Sequence, residues 1–275
     1  MRSFNFYAVF AALLVAPALV GVRVPVTRTS MRETAANPAA VGLAPLALAH
    51  RTPLTNAQRL ARGLTPNRPR FNRAARENLA PRASAMPDPT PCPAVTGTIQ
   101  VTGAGTGTPA FISRVPNAFG EYAVTTDTAD ALVVQYTDCA DASVIDLATL
   151  NGIADVPYLG AITGFATALQ DLRRGSSAYA YIGGTDQTAP GATPQAVSNS
   201  FTAATGDQEE AESAMWTLNR TTGALSAQWV NADGSKPETI IVYSPENFLV
   251  ITGDPTIFGA SFGTSPVVTL TFVAA

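Results

Sequence analysis

From Val95 to the C-terminus the chain is cut every few residues by Gly, Pro, Asn and Asp, and what lies between the cuts is short and apolar or alternating. "VTGTIQVTG" alternates and closes on Gly. "AFISRV", "EYAVTT", "ALVVQYT" and "SVIDLAT" follow, then "YLGAITGFA" and "SAYAYIGG". The last third repeats the rhythm: "SAMWTL", turn "NRTTG", "ALSAQWV", turn "NADGSKPE", "TIIVYS", turn "PEN", "FLVITGD", and finally "VVTLTFV". No run keeps a helical stripe for the ten or more residues a helix needs, and the breakers are the residues that close hairpins. Roughly eleven to thirteen short strands across residues 91–275 predict an all-β chain: a single antiparallel β-sandwich or jelly-roll-like domain. The terminal strand "VVTLTFV" is expected to be paired, which would pin the C-terminus. "TALQDLRRG" is the one interruption, read as a helical turn or a loop carrying Arg173 and Arg174.

The part before this domain has another character. Arg2, an apolar run from Phe6 to Val15 and the small residues Ala16-Pro17-Ala18 make residues 1–18 a secretory signal peptide. A retained anchor is the rival reading, disfavoured by Pro17 and the small-residue end. Residues 19–90 lack hydrophobic period and are expected to be a largely disordered pro-segment or linker, with short helices at most from Thr55, boxed by Gln58, to Gly63 and from Arg73 to Ala80. Charge separates the two parts. Leu19–Thr90 holds 11 Arg and 3 acids, 11 − 3 = +8, whereas Pro91–Ala275 holds 4 Arg, 1 Lys and 17 acids, 5 − 17 = −12. The positive charge peaks in "TNAQRLARGLTPNRPRFNRAAR" (Thr55–Arg76), which has neither lysine nor acid. Secretion removes the usual nucleic-acid partner, and Phe71 is its only aromatic residue, so no nucleic-acid role is expected. Its Arg-x-x-Arg pairs, Arg59/Arg62, Arg70/Arg73 and Arg73/Arg76, mark it as open to proteolysis, although it lacks the paired basic residues of a kexin-type site.

An oxidising compartment sets the reading of the only two cysteines, Cys92 and Cys139, as one disulfide. The chemistry available to the body is narrow. The single histidine, His50, lies outside it, which removes the base from Ser-His-Asp and Cys-His mechanisms and the ligands from histidine metal sites. Lys236 is the only lysine and falls in a turn, and no phosphate-binding glycine loop occurs between a strand and a helix, so no cofactor is expected. Carboxylates remain. Asp127, Asp130, Asp138, Asp141 and Asp146 cluster in sequence and are weak calcium candidates, the plainer reading being a solvated acidic surface. Asp207, Glu209, Glu210 and Glu212 form a second group. Glycoside hydrolysis would need two acids facing each other across a cleft; Glu121 and Asp171 are the acids with some local context. Tyr179, Tyr181, Trp216, Trp229 and Tyr243 are strand aromatics that suit carbohydrate binding if exposed and core packing if buried. Tyr179 and Tyr181 share a face by period two. Asn219-Arg220-Thr221 is an N-glycosylation sequon in a hairpin turn.

"LTNAQRLARGL" behind a signal peptide, with "VPNAFGEYAVTTD" (Val115–Asp127), "SAMWTLNRTTGALSAQWVNADGS" (Ser213–Ser235) and "IVYSPENFLVITGDP" (Ile241–Pro255), resembles an uncharacterised secreted β-rich protein family of mushroom-forming fungi. The resemblance implies secretion and a fungal origin, and no activity. The expectation is an extracellular binding or structural module, associated with cell wall or carbohydrate, with a carboxylate-dependent glycoside hydrolase as the alternative. Cell-wall polysaccharide is the expected partner, with no membrane association after signal cleavage. N-terminal sequencing of the secreted protein is expected to find no chain beginning before Leu19. A start at Met1 would refute the signal-peptide reading, and a start beyond residue 55 would place processing in the arginine-rich stretch.

Overall fold

The computed structural model describes residues 35–39, 41–49, 92–106, 109–139, 143–166 and 171–275. The signal peptide and the arginine-rich stretch lie outside the described residues. What is described is all-β and antiparallel, as the strand rhythm requires, with the strands hydrogen-bonded into one large curled sheet. In chain order the strands are β1 (Ala94–Thr102), β2 (Ala110–Pro116), β3 (Tyr122–Thr125), β4 (Val133–Thr137), β5 (Leu147–Thr149), β6 (Tyr158–Thr163) and β7 (Tyr179–Thr185). After these come β8 (Ala211–Glu212), β9 (Trp216–Leu218), β10 (Ala224–Ala227), β11 (Ile240–Ser244), β12 (Phe248–Thr252) and β13 (Thr269–Ala274). The main path runs β11-β12-β7-β6-β5-β4-β1-β13-β10-β9, with the β2–β3 hairpin branching from β1 and β8 from β6.

The turns are built by the residues that sequence chemistry assigns to them. Asn247 closes the β11–β12 hairpin at φ 61°, a left-handed conformation that Asn tolerates better than most side chains. Asn231 O accepts from Gly234 N at 2.8 Å in the "NADG" turn. Two short helices also occur that the strand rhythm does not announce. Helix α1 (Ser200–Thr205) is capped by Asn199, whose side chain accepts from Thr202 N, and ends at Gly206 in the left-handed region. Helix α2 (Pro255–Phe262) is capped by Asp254, which accepts from Thr256 N and Ile257 N, with Pro at the first helical position.

Period-two alternation sends the strand side chains to opposite faces. One face of nearly every strand contributes to a single inner core, including Ile99, Val134, Leu159, Ile182, Trp216, Trp229, Ile251 and Leu270. The other face of β6, β7, β11 and β12 carries a second, aromatic cluster of Tyr179, Tyr181, Phe201, Phe248 and Phe258. Helices α1 and α2 supply Phe201 and Phe258 and so cover that outer face.

Part of the segment expected to be a disordered linker is placed against this body. Ala36 and Asn37 are buried in the outer-face cluster and beside Glu121, and Leu48 bridges Ile153. Ala44 N donates to Ala204 O, Ala49 N to Gly152 O, and Ala47 O accepts from Ala154 N. The expectation therefore fails for residues 35–39 and 41–49. It missed them because they dock as irregular chain, with backbone and carboxamide bonds that leave no hydrophobic period.

Cys92 and Cys139 are bonded as expected, tying the chain two residues before β1 to the chain two residues after β4. Converting both to serine is expected to lower unfolding stability by up to about 4 kcal/mol, because the bond closes a 47-residue separation in the unfolded chain. An unchanged urea midpoint would show that the β1–β4 pairing alone holds this corner.

Candidate functional site

The structure sorts the strand aromatics decisively. Trp216, Trp229, Tyr179 and Tyr181 each have 0% of their surface exposed, so none of them forms an exposed sugar-binding strip. Trp216 and Trp229 pack in the inner core, where Trp216 Nε1 donates to Leu159 O at 2.7 Å. The two tryptophans are buried because their face of the sheet is the core of the fold, and the two tyrosines because Phe201, Phe258 and Ala36 cover the outer face. Tyr243 is half-buried, and its hydroxyl donates to Asn247 Oδ1 at 2.8 Å.

The weak metal candidates do not gather. Asp127 caps the 3-10 turn Thr128–Asp130 by accepting from Ala129 N, Asp130 pairs with Arg114 at 3.0 Å, and Asp138 pairs with Arg220 at 2.6 Å. Asp141 lies outside the described residues. Among the described residues no group of three or more acids, His or Cys is close enough to hold a metal ion. Asp171 is half-buried and accepts from Ala232 N. Asn219 is exposed at its hairpin turn, with Oδ1 accepting from Thr221 N and Thr222 N, a geometry that fixes the side chain and leaves it accessible.

Two carboxyls are buried and perturbed. Glu121 is 0% exposed, and burial pushes it up to about 8; hydrogen bonds from Asn117 and Asn37 oppose that, and the Glu246 charge adds to it. Burial likewise raises Glu212 to about 8, against the N–H of Val230 that its carboxyl accepts. They are not partners. Glu121 bridges Gly183, which shares its face with Tyr181 and Tyr179, whereas Glu212 pairs with Ala161, an inner-core residue. The two acids thus sit on opposite faces of the sheet and cannot flank one glycosidic bond.

Two places on the outer face bring polar groups together. The first is closed. Tyr179 OH and Tyr181 OH lie 3.2 Å apart, and both donate to Ala36 O at 2.5 Å. They also accept from Ala166 N and Phe165 N. Beside them Glu121 Oε2 accepts from Asn117 Nδ2 at 2.6 Å and Asn37 Nδ2 at 3.2 Å. Among the described residues, Glu121 Oε1 and Asn37 Oδ1 are both buried without a hydrogen-bond partner. A proton on Oε1 would turn one orphaned acceptor into a donor, in keeping with the raised pKa.

The second place is open, a groove of about 310 Å³ that Tyr158, Ala148, Gln135, Asp146 and Gln187 help to line. Strand register builds it. Thr96 is opposite Gln135, Gln135 opposite Ala148, and Ala148 opposite Tyr158, so one row crosses β1, β4, β5 and β6 on a single face. Small Ala148 leaves space between half-exposed Gln135 and Tyr158. Asp146 is held by Ser213 Oγ at 2.6 Å and exposed Gln187 Nε2 at 2.8 Å. Sequence reasoning passed over Tyr158, although its place at the head of "YLGAIT" and out of phase with the inward Leu159 was a readable signal.

Comparison with protein-family models, with curated proteins and with solved structures finds no match.

The pH dependence follows from the two buried acids. Their ordinary value is 4.5 and their folded value about 8, so the stability linked to their neutral form is fully present below pH 4.5 and is lost as pH rises to about 8. Glu121→Gln is expected to flatten the fall in urea midpoint across that window, each tenfold difference in proton affinity between the folded and unfolded chain being worth about 1.4 kcal/mol at most. A slope as steep as that of the parent chain would mean that Glu121 is ionised when folded.

Proposed function

We propose that this chain is a secreted, cell-wall-associated binding module that takes polysaccharide in the groove beside Tyr158, and that it belongs to the fungal secreted family its motifs resemble. The observation that carries this reading is the register row itself: a half-exposed tyrosine, a small alanine and a glutamine in line on one sheet face, with Asp146 and Gln187 at the rim. An aromatic ring offers an apolar platform for a sugar face, and amide and carboxylate groups beside it read hydroxyls. The floor of the groove is formed by residues of β4, β5 and β6, whose backbones are fixed by the ladder before any ligand binds. The disulfide fits an extracellular setting, and no helix among the described residues is long and apolar enough to cross a membrane. Secretion and the signal peptide remain part of this proposal, as does a glycan at Asn219.

The hydrolase alternative finds less support: of the acids it rests on, Glu121 is closed off under Asn37 and Asp171 accepts from Ala232 N, and Glu121 and Glu212 face away from each other across the sheet. Binding is tested by retention of the full chain on chitin, β-glucan and cellulose, followed by a glycan array. Retention on at least one polymer is expected, and Tyr158→Ala should weaken it about fivefold or more, the equivalent of ~1 kcal/mol for an aromatic contact. No retention on any polymer, or retention that Tyr158→Ala leaves intact, would sink the reading.

A further inference from the structure

We propose that the closed recess on the outer face is a peptide-binding seat, specific for a small residue followed by Asn, which the chain fills with its own residues 36–37 as a built-in ligand. The seat reads two consecutive peptide features with separate groups. The two tyrosine hydroxyls converge on one backbone carbonyl, that of Ala36, and the Glu121–Asn117 pair engages the next residue's carboxamide. Ala36 packs in the aromatic cluster with Tyr179, Tyr181 and Phe201, where a larger side chain would meet rings.

The body holds this arrangement without the segment's help. Asn117 Oδ1 accepts from Phe119 N and Glu121 N, which fixes the turn that carries both Asn117 and Glu121. Gly120 O accepts from Ser200 Oγ, which joins that turn to helix α1. Tyr179 and Tyr181 are set by the β7 ladder and by the amides of Ala166 and Phe165. A seat whose polar groups are fixed by other bonds is pre-organised for a ligand.

Among the described residues the occupant's remaining anchors are buried Pro38, the backbone hydrogen bond of Ala44, those of Ala47 and Ala49 that form the Leu48–Ile153 bridge, and the packing of Leu46 and Leu48. An open surface groove of about 170 Å³ runs between Ala44, Pro45, Leu46 and Leu48 and the turn at Val115–Ala118. The disulfide joins two residues that both follow the arginine-rich stretch, so a backbone cut there would leave residues 35–49 attached by non-covalent contacts alone. The same seat would then accept the small-residue–Asn feature from a separate peptide.

The test uses the full chain with a site-specific protease sequence inserted after Gly63. The chain is nicked, passed through a column in urea below its unfolding midpoint, and returned to buffer. A fluorescein-labelled synthetic peptide of residues 33–49 is then titrated and read by anisotropy. The nicked protein is expected to take up the peptide and the intact protein to exclude it. An Asn37→Leu peptide should bind at least tenfold more weakly, and Tyr181→Phe in the nicked protein should weaken the native peptide. Equal uptake by intact and nicked protein, or equal affinity of the Asn37→Leu peptide, would overturn the proposal. Unfolding of the nicked chain when its fragment leaves would overturn it too, because the segment would then be core and not ligand.

Discussion

Every residue of β7 is buried, and much of the molecule hangs on that fact. Its alternation sends Ala180, Ile182 and Gly184 to the inner core and Tyr179, Tyr181 and Gly183 to the outer face. The register with β6, from Tyr158 opposite Thr185 to Thr163 opposite Ala180, locks that choice. The glycines matter to the lock. A Cβ on Gly183 would come within 2.6 Å of Ile162 Cδ1, and one on Gly184 within 2.7 Å of Val156 Cγ2. A one-residue slip would bring phenols into the inner core and small residues under the helices, so both faces disfavour it. The same ladder sets Tyr158 at the groove and the tyrosine pair at the recess, which makes one register responsible for two surfaces.

Much of the architecture was legible from sequence because strands and turns have local causes. The runs read from "VTGTIQVTG" to "VVTLTFV" each contain an observed strand, and "NADG" and "PEN" are turns as their residues demand. Strand β8, only Ala211–Glu212, is too short to leave a pattern. The two helices were missed although their caps were in view: Asn199 with Gly206, and Asp254 directly before Pro255. At six and eight residues they carry no periodic stripe, and only the caps distinguish them from loops.

The candidate sites were less legible, for a different reason. Period two correctly puts Tyr179 and Tyr181 on one face, but exposure depends on what covers that face. The cover comes from Phe201, Phe258 and Ala36, all remote in sequence. Glu121 looks like any acid after a "NAFG" turn; its burial arises from Asn37, 84 residues away. The acidic body was read as a solvated surface, and the ion pairs Asp130–Arg114 and Asp138–Arg220 agree with that for those acids. Such exposed pairs add little stability, so the body's charge bears more on solubility than on fold.

The adjacency of β1 and β13 carries a consequence for how the protein is made. The first strand of the body and the last strand of the chain are hydrogen-bonded neighbours, six residue pairs in register from Gly97–Ala274 to Thr102–Thr269. Strand β13 also joins β10 to the rest of the sheet. Until residues 269–274 have been made, β1 lacks its partner on one side and β10 is paired only with β9. The sheet therefore cannot close until β13 has been made, so the pairing of β1 with β13, about 170 residues apart, is among the last contacts to form. A chain built this way depends on whatever shields the bare edge of β1 in the interval between the synthesis of the two strands.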